Sequence, residues 1–311
     1  MVVDLIPSKL LEIMYSEYEI NEESLKESIK KLREWLRMQP HLPFFDDEKR
    51  LLRMFIQCKG RMEVTKSSLD MYFSIRGKIP EVFGNRDPFA AWFKKIAEKV
   101  FFIQIPYHTE DFCRINIIGA LNPPMPVNDF DPLELLKLAS VIQDIRLAED
   151  FYYADIYILD LQGGSAAHAS KITIPLLRKL RLSALKGYKV RVKQVHLLNV
   201  APIMDTVINF SLQFARPEHR HRLITHRENI AKGYDSLHKY VSPKLLPREY
   251  GGEAGSITDM WDEWKKKICS YREWFINEGA VTVDESKRTG KPLDTGELFG
   301  FEGSFRQLQV D

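Results

Sequence analysis

Cysteine is scarce in this 311-residue sequence, and no apolar run approaches the roughly 18 residues that a membrane-spanning helix requires. The three cysteines, Cys58, Cys113 and Cys269, lie far apart and form no CxxC pair. Such spacing is typical of free thiols and not of a disulfide framework. The N-terminal segment also has Asp4 where a secretory signal peptide carries positive charge. We therefore predict a soluble, cytoplasmic protein.

Sequence signatures of enzymes are absent as well. The chain has no P-loop, GxGxxG or HExxH motif, and the turn Gly163–Ser165 lacks the second glycine of a GxSxG nucleophile elbow. His168 and His196 are isolated, and such histidines more often have structural partners than catalytic ones. We expect Asp160, which ends a strand, to accept hydrogen bonds from nearby backbone N–H groups. The sequence predicts no catalytic residue, no metal site and no cofactor.

Acidic residues are missing between Asp160 and Asp205. The same stretch carries eight basic residues: Lys171, Arg178, Lys179, Arg181, Lys186, Lys189, Arg191 and Lys193. In a chain with a formal net charge of only +2, this asymmetry indicates one basic face, suited to an anionic membrane or to nucleic acid. An ordinary solvated helix face is the plainer alternative. Because aromatic residues do not interleave with the basic run as a stacking platform requires, we expect no nucleic-acid binding.

Before residue 80 the apolar residues recur at helical spacing, and no segment alternates as a strand does. A helix is predicted over 21–39, with Asn21 as its N-cap and Pro40 at its end. Two more are predicted over 46–58 and 64–76. The N-terminal quarter is therefore predicted to be a small helical bundle.

Beyond residue 90 the pattern changes to strands that alternate with helices. Short β-rich runs predict four strands, at 100–105, 114–118, 155–161 and 193–198. The intervening helical patterns cover 133–148, 175–185 and 203–214. Such alternation predicts a parallel or mixed sheet with helices packed on it.

The predicted helix 203–214 is apolar over two adjoining faces. Ile203, Val207 and Phe210 lie on one face, and Ile208 lies on the next. A helix of this kind either is deeply buried or covers a cavity on one side and meets lipid on the other. A cationic run follows directly, and an apolar face beside cations is typical of contact with a membrane surface.

Four segments in order along the chain resemble a known family: LLRMFIQCKGRMEVTKSSLDMYFSIRGKIPEVF (51–83), YILDLQGGSAAHASKIT (157–173), VKQVHLLNVAPIMDTVINF (192–210) and LLPREYGG (245–252). They are similar to the helical module, the strand and turn of the lipid domain, the strand that enters a gate helix, and the closing motif of the CRAL-TRIO (Sec14-like) lipid-binding family. The resemblance extends from residue 20 or so to the C-terminus. Within the family, the chain looks most like the insect relatives of α-tocopherol transfer protein and cellular retinaldehyde-binding protein.

The resemblance implies an α/β fold in which an N-terminal helical bundle precedes a CRAL-TRIO mixed-sheet domain with a lipid cavity and a gate helix. We place the helical domain at 1–90, the lipid-binding domain at 91–252, and a C-terminal helix with an extended tail at 253–311. The expected ligand contacts are Leu136, Ser140, Tyr157, Leu159, Ile203, Val207, Ile208 and Phe210. Among them, Ser140 and Tyr157 are candidates for a polar anchor.

In tocopherol-transfer-like members of the family, a cationic cleft beside the gate binds phosphoinositide headgroups. By motif, the counterparts here are Arg191, Lys193 and Arg222. Glu218 stands where the family often has lysine, and Arg220 is a candidate substitute. Because residues 191 and 193 are two apart in a predicted strand, their side chains should point the same way and converge on one phosphate.

These expectations describe a monomeric, non-enzymatic carrier with two partners, a small hydrophobic lipid and a phosphoinositide-containing membrane that it contacts peripherally. It would carry a lipid or isoprenoid (retinoid, tocopherol or carotenoid-like) between membranes and release it with the assistance of phosphoinositide. The alternative hypothesis is a membrane-recruited regulatory adaptor whose lipid pocket is vestigial. The sequence does not identify the lipid, since each candidate requires an apolar cavity and a few buried polar groups decide among them.

Overall fold

The computed structural model describes residues 6–202, 208–209, 212, 217–227, 234–277, 281–291 and 293. The helices before the sheet are α1 (Ser8–Tyr18), α2 (Glu22–Arg37), α3 (Glu48–Gln57), α4 (Met62–Lys78), α5 (Pro80–Phe83) and α6 (Ala91–Ala97). The strands are β1 (Val100–His108), β2 (Arg114–Ala120), β3 (Asp155–Asp160), β4 (Val192–Leu198) and β5 (Leu223–Thr225). Between strands lie α7 (Pro132–Glu149), α8 (Ala166–Ser170) and α9 (Ile174–Arg181), and after them α10 (Asp235–His238), α11 (Ile257–Ser270) and α12 (Arg272–Ile276).

The N-terminal part is helical, as predicted. The helix expected over 21–39 is α2, and its first turn is closed by reciprocal hydrogen bonds: the Asn21 side chain accepts from the Ser24 N–H at 2.8 Å, and the Ser24 hydroxyl accepts from the Asn21 N–H at 3.1 Å. The helices expected over 46–58 and 64–76 are α3 and α4. Helix α1, which precedes them, was not predicted.

The sheet is mixed, and the predicted α/β fold class is confirmed. Strands β1 and β2 pair antiparallel, whereas β2, β3, β4 and β5 pair parallel in chain order. The four predicted strands are β1 to β4, and β5, with three residues, is too short to show alternation. Crossover connections between parallel strands are almost always right-handed. Because β2, β3 and β4 follow one another across the sheet in chain order, right-handed crossovers place α7, α8 and α9 on the same face of the sheet.

The two faces of the sheet have different covers. On one side α7 reaches β3 through an ion pair, in which Arg146 donates to Asp155 at 2.6 Å. We call this side the crossover face. On the other side lies the segment 234–250, whose Tyr250 hydroxyl donates to Asp160 at 2.8 Å. We call this side the C-terminal face.

A buried ion cluster attaches α7 to the N-terminal helices. Asp144 accepts hydrogen bonds from Arg76 at 2.7 Å, from Arg86 at 2.6 Å and from the Tyr72 hydroxyl at 2.8 Å. Burial alone would raise the pKa of Asp144, but the charges of Arg76 and Arg86 hold that pKa below its usual value. Asp144 and Arg146 are two residues apart on a helix and point to nearly opposite sides. The N-terminal helices therefore pack on the side of α7 that faces away from the sheet.

The described part of the C-terminal tail, residues 281–291, lies over the N-terminal helices. Arg288 pairs with Asp70 of α4 at 2.6 Å, and the Thr282 hydroxyl donates to the Phe73 carbonyl at 3.1 Å. These contacts tie the tail to α4.

Candidate functional site

The crossover face carries apolar side chains that the surrounding protein covers incompletely. Strand register places five residues of intermediate exposure on this face: Ile118, Tyr157, Leu159, Val195 and Leu223. Most residues of the same strands that point to the C-terminal face are buried instead: Ile115, Ile117, Ile156, Ile158, His196 and Leu198. The exceptions include Gln194 and Ile224 on the C-terminal face, which are half-buried, and Leu197 on the crossover face, which is buried. The incomplete packing leaves apolar surface on the crossover face that a ligand can cover.

The polarity of this face changes along β3, where Asp155, Tyr157 and Leu159 point the same way. At the first of these positions, the Asp155 carboxylate accepts from Arg146 at 2.6 Å and from the Asn116 amide at 2.8 Å. All three side chains in this contact are buried. Their mutual hydrogen bonds offset the cost of removing the charges from water, so this end of the face is polar and internally paired.

Tyr157 lies between the polar end and the apolar end of this face. Its hydroxyl oxygen accepts a hydrogen bond from Gln143 Nε2 of α7 at 3.2 Å. Burial, and next the negative charge of Asp155, raise the pKa of Tyr157 far above its ordinary value. The phenol is therefore neutral at any physiological pH.

Leu159 begins the apolar end. It packs in one cluster with Leu197 and with Ile208, a residue of the predicted gate. The structure thus brings together two predicted ligand contacts, Leu159 and Ile208, on the face that also carries Tyr157. Three other predicted contacts lie outside the described residues: Ile203, Val207 and Phe210.

Leu136 and Ser140, two further predicted contacts, lie on α7. Leu136 packs in the core formed with the N-terminal helices. The Ser140 carbonyl accepts from the Tyr188 hydroxyl at 3.2 Å, and the Ser140 hydroxyl donates to the Lys137 carbonyl at 2.7 Å. Leu136, Ser140 and Gln143 are spaced i, i+4 and i+7, so they lie along one stripe of α7, and Gln143 of this stripe contacts Tyr157. Tyr157 also packs against the core that contains Leu136. That Leu136 and Ser140 contact the ligand stays a prediction. Because α7 is buried on several sides, its apolar pattern does not reveal which side faces the sheet.

Arg191, directly before β4, is held by partners within the protein. It donates to the hydroxyl of Tyr18 in α1 at 2.7 Å and to the Tyr153 carbonyl, and its guanidinium lies 4.5 Å from the centroid of the Tyr153 ring. The Tyr153 hydroxyl in turn donates to Glu17 of α1 at 2.7 Å. The end of α1 therefore contacts a residue that we predicted to bind phosphoinositide.

Lys193 also has an internal partner, the carboxylate of Asp111 between β1 and β2. Arg222 donates to the Val192 carbonyl at 2.6 Å, and Val192 separates the other two predicted cations. Arg220 is exposed. The structure thus gathers three of the four predicted cations at the start of β4, and we call Arg191, Lys193 and Arg222 the basic cluster.

The two isolated histidines have structural partners, as expected. His168 contacts the Ser165 hydroxyl through Nδ1 at 2.7 Å and the Met125 carbonyl through Nε2 at 2.9 Å. His196 is buried under the C-terminal face, with its Nδ1 at 2.9 Å from Nε2 of His226. Burial, and then the neighbouring His226, lower the pKa of His196 to about 4.

Asp160 accepts a hydrogen bond from the Gln162 backbone N–H at 3.0 Å, as predicted, and it accepts further from Asn199 and Tyr250. Among the described residues, no group of three or more histidine, cysteine or acidic side chains could hold a metal ion. No helix in the described part of the chain is long and apolar enough to cross a membrane.

Sequence reasoning missed Gln143, Asp111 and Tyr18. Their contacts with Tyr157, Lys193 and Arg191 span 14, 82 and 173 residues along the chain, so no local pattern could have paired them. Gln143 carried no signal of its own either, since α7 also contains Lys137, Ser140, Asp144 and Arg146.

The protein is thus an α/β protein in which a helical module precedes a mixed sheet. Its crossover helices lie on one face of the sheet, and apolar side chains on that face are only partly covered. This arrangement is typical of proteins that bind a ligand against a sheet. The profile described as "CRAL/TRIO domain" matches residues 115–252, and the profile described as "Pinta-like, UBA domain" matches residues 21–93. Residues 115–252 therefore belong to the CRAL-TRIO domain family, and the resemblance seen in the motifs is confirmed.

Curated relatives agree with this assignment. The chain is 26% identical to the mouse (Mus musculus) protein named alpha-tocopherol transfer protein-like over 256 residues, which are 80% of this chain and 71% of the relative. It is 24% identical to clavesin-1 of Xenopus laevis over 237 residues, 75% of this chain and 69% of the relative. The crystal structure of Sfh5 aligns with a TM-score of 0.49 at 10% identity and covers 82% of this chain and 98% of that one.

Proposed function

We propose that this protein binds one hydrophobic lipid or isoprenoid on the crossover face and carries it between membranes. The observation that carries the proposal is the incomplete cover of Tyr157, Leu159 and Val195, beside Ile208 of the predicted gate. Membership of the CRAL-TRIO family, with relatives named for tocopherol transfer, supports a lipid as the ligand.

The energetics favour a carrier that unloads at a membrane. Covering ~300 Å² of ligand apolar surface contributes about 7 kcal/mol at ~25 cal/mol per Å². A ligand held this firmly and insoluble in water dissociates too slowly into the aqueous phase to be delivered there. If the site opens at a membrane, the ligand passes directly into the bilayer and never has to enter water.

The basic cluster supports a second part of the proposal, docking on a phosphoinositide-containing membrane. Arg222 bonds the backbone of Val192, between Arg191 and Lys193, so the three cations share one end of β4. Each cation near an anionic leaflet contributes ~1 kcal/mol. Release of the lipid is then coupled to arrival at such a surface.

We also propose that the lipid is carried chemically unchanged. The Ser165 and His168 pair resembles part of a nucleophile–base arrangement, but both groups have structural roles: Ser165 caps α8, and His168 bonds the Met125 carbonyl. Lipid recovered after prolonged incubation should have an unaltered mass.

The decisive experiment is mass spectrometry of an organic extract from the purified protein. One lipid per chain is expected from the native protein. In Leu159→Trp the larger side chain occupies the apolar end of the face, so the amount of bound lipid should fall at least fivefold. Ile276→Trp, which enlarges an apolar side chain that is 41% exposed at the end of α12, is the matched control and should keep its lipid.

Two outcomes would count against the carrier. Equal lipid content in Leu159→Trp and Ile276→Trp, with both variants folded, would show that the ligand does not lie on the crossover face. A native protein without any extracted lipid, and unable to take up added lipid, would favour the regulatory adaptor with a vestigial pocket.

A further inference from the structure

Tyr157 lies on the crossover face between a paired ionic end and an apolar end. Two residues before it, Asp155 is paired with Arg146; two residues after it, Leu159 packs against the apolar cluster that Ile208 also contacts. A lipid laid along β3 with its tail at Leu159 has its inner end at Tyr157. We infer that the Tyr157 hydroxyl donates a hydrogen bond to this inner end and thereby selects an uncharged lipid that ends in one oxygen acceptor, such as an alcohol, aldehyde or ketone. The inference rests on the proposed carrier function.

The hydrogen bond to the Tyr157 hydroxyl leaves its proton for a ligand. Gln143 Nε2 donates to the phenolic oxygen at 3.2 Å. Because this contact uses the oxygen as acceptor, it does not take up the phenolic proton. The raised pKa keeps that proton in place. The Tyr157 hydroxyl is thus a hydrogen-bond donor whose position is fixed by Gln143 of α7 and by its place in β3.

A charged end group does not fit this position. Arg146 is paired with Asp155 at 2.6 Å and lies 3.8 Å from Asp150, which Arg114 pairs in turn at 2.7 Å. Arg146 and Arg114 are thus already paired with carboxylates. A carboxylate or phosphate brought to Tyr157 would have to pair with Arg53, a buried guanidinium that lies over the Phe151 ring and lines the same small cavity as Gln143 and Arg146. The desolvation of a buried ion pair can exceed its Coulombic gain, which makes such a contact costly. Fatty acids and phospholipids are therefore disfavoured with their polar ends at this site.

The polar contact also separates oxygenated lipids from hydrocarbons. A hydrocarbon of the same skeleton fills the apolar end equally well but leaves the buried hydroxyl without an acceptor. A single neutral hydrogen bond of this kind changes affinity by about three- to tenfold.

The test uses three probes with one skeleton: all-trans-retinol, its deoxy hydrocarbon analogue and retinoic acid, each titrated into the full-length protein and followed by fluorescence. The native protein should bind retinol about three- to tenfold more tightly than the hydrocarbon, and retinoic acid more weakly than retinol. Tyr157→Phe should lose the preference for retinol while its affinity for the hydrocarbon stays the same. Tyr153→Phe is the matched control, since its hydroxyl bonds Glu17 at the surface, and it should behave as the native protein does.

The outcomes distinguish this inference from the carrier function. Equal native affinity for retinol and the hydrocarbon, or a preference that survives in Tyr157→Phe, overturns the Tyr157 anchor and leaves the carrier function standing. Tightest binding of retinoic acid overturns the selection against charge. Binding of none of the three by folded native protein counts against the carrier function itself. The native preference is measured without any substitution, so the inference stays testable if Tyr157→Phe proves unstable in a thermal melt.

Discussion

Asp111→Asn should strengthen the binding of this protein to phosphoinositide vesicles. In the native chain the Asp111 carboxylate holds the ammonium of Lys193 and accepts the Thr109 hydroxyl at 2.6 Å. Partial burial would raise the pKa of Asp111, but the hydrogen bond from Lys193 outweighs it and keeps that pKa below its usual value. The carboxylate is therefore ionised at neutral pH, and a headgroup must compete with it for Lys193.

The size of the effect follows from the exposure of the pair. The side chains of Lys193 and Asp111 are 43% and 47% exposed, and such ion pairs contribute about 0.2–1 kcal/mol. Releasing Lys193 to act on an anionic leaflet is worth ~1 kcal/mol. Affinity for the vesicles should therefore rise about fivefold, and the gain should shrink as salt is added.

The assay is sedimentation with phosphatidylcholine vesicles, with and without a few per cent of phosphoinositide. Asp262→Asn is the matched control, because it removes the same charge from an exposed ion pair, with Lys265 at 2.7 Å, far along the chain on α11. Adding Lys193→Ala to Asp111→Asn should abolish the gain. If Asp111→Asn binds no better than Asp262→Asn, Lys193 does not meet the headgroup and the basic cluster is only a solvated surface.

Two further predictions concern stability and pH. Asp144→Asn removes the carboxylate that pairs with both buried Arg76 and buried Arg86, so the free energy of unfolding in urea should fall by about 3–5 kcal/mol; a loss below ~1 kcal/mol would show that the cluster does not hold α7 in place. His196 should titrate at about 4 by NMR, below its ordinary value of 6.5. Because the folded protein then binds the proton less readily than the unfolded chain, the contribution of His196 to stability is complete above pH 6.5 and is lost between pH 6.5 and 4. A measured pKa of 6.5 or higher would contradict the burial of a neutral His196 beside His226.

Secondary structure was predictable wherever the signal is local. Asn21 caps α2 by accepting a hydrogen bond from the N–H of Ser24, three residues later. Pro132 begins α7, directly after its N-cap Asp131. The starts of both helices could therefore be located from the sequence. The short β5 and the helix α1 were missed. A three-residue strand is too short for a repeat, and α1 is preceded by Pro7 without a side-chain cap.

The candidate site was only partly predictable, because it depends on which side of an element meets which neighbour. Tyr157 and Leu159 share a face by simple strand alternation, and this much follows from their spacing. Leu136 and Ser140 share a stripe of α7 with Gln143, which contacts Tyr157, and their contact with a ligand stays a prediction. Because α7 is buried on several sides, its sequence offers no amphipathic contrast that shows which stripe faces the strands.

The sequence by itself determined the order of helices and strands, the mixed α/β class and the membership of the CRAL-TRIO family, since these depend on periodicity, capping and motifs that act over a few residues. It also placed the acid-free stretch, and hence the source of the basic cluster. Only the tertiary structure decided that Asp111 and Tyr18 contact Lys193 and Arg191, and that Gln143 holds Tyr157. These contacts join residues 14 to 173 positions apart, and distances of that kind are set by the packing of whole elements and not by local preference.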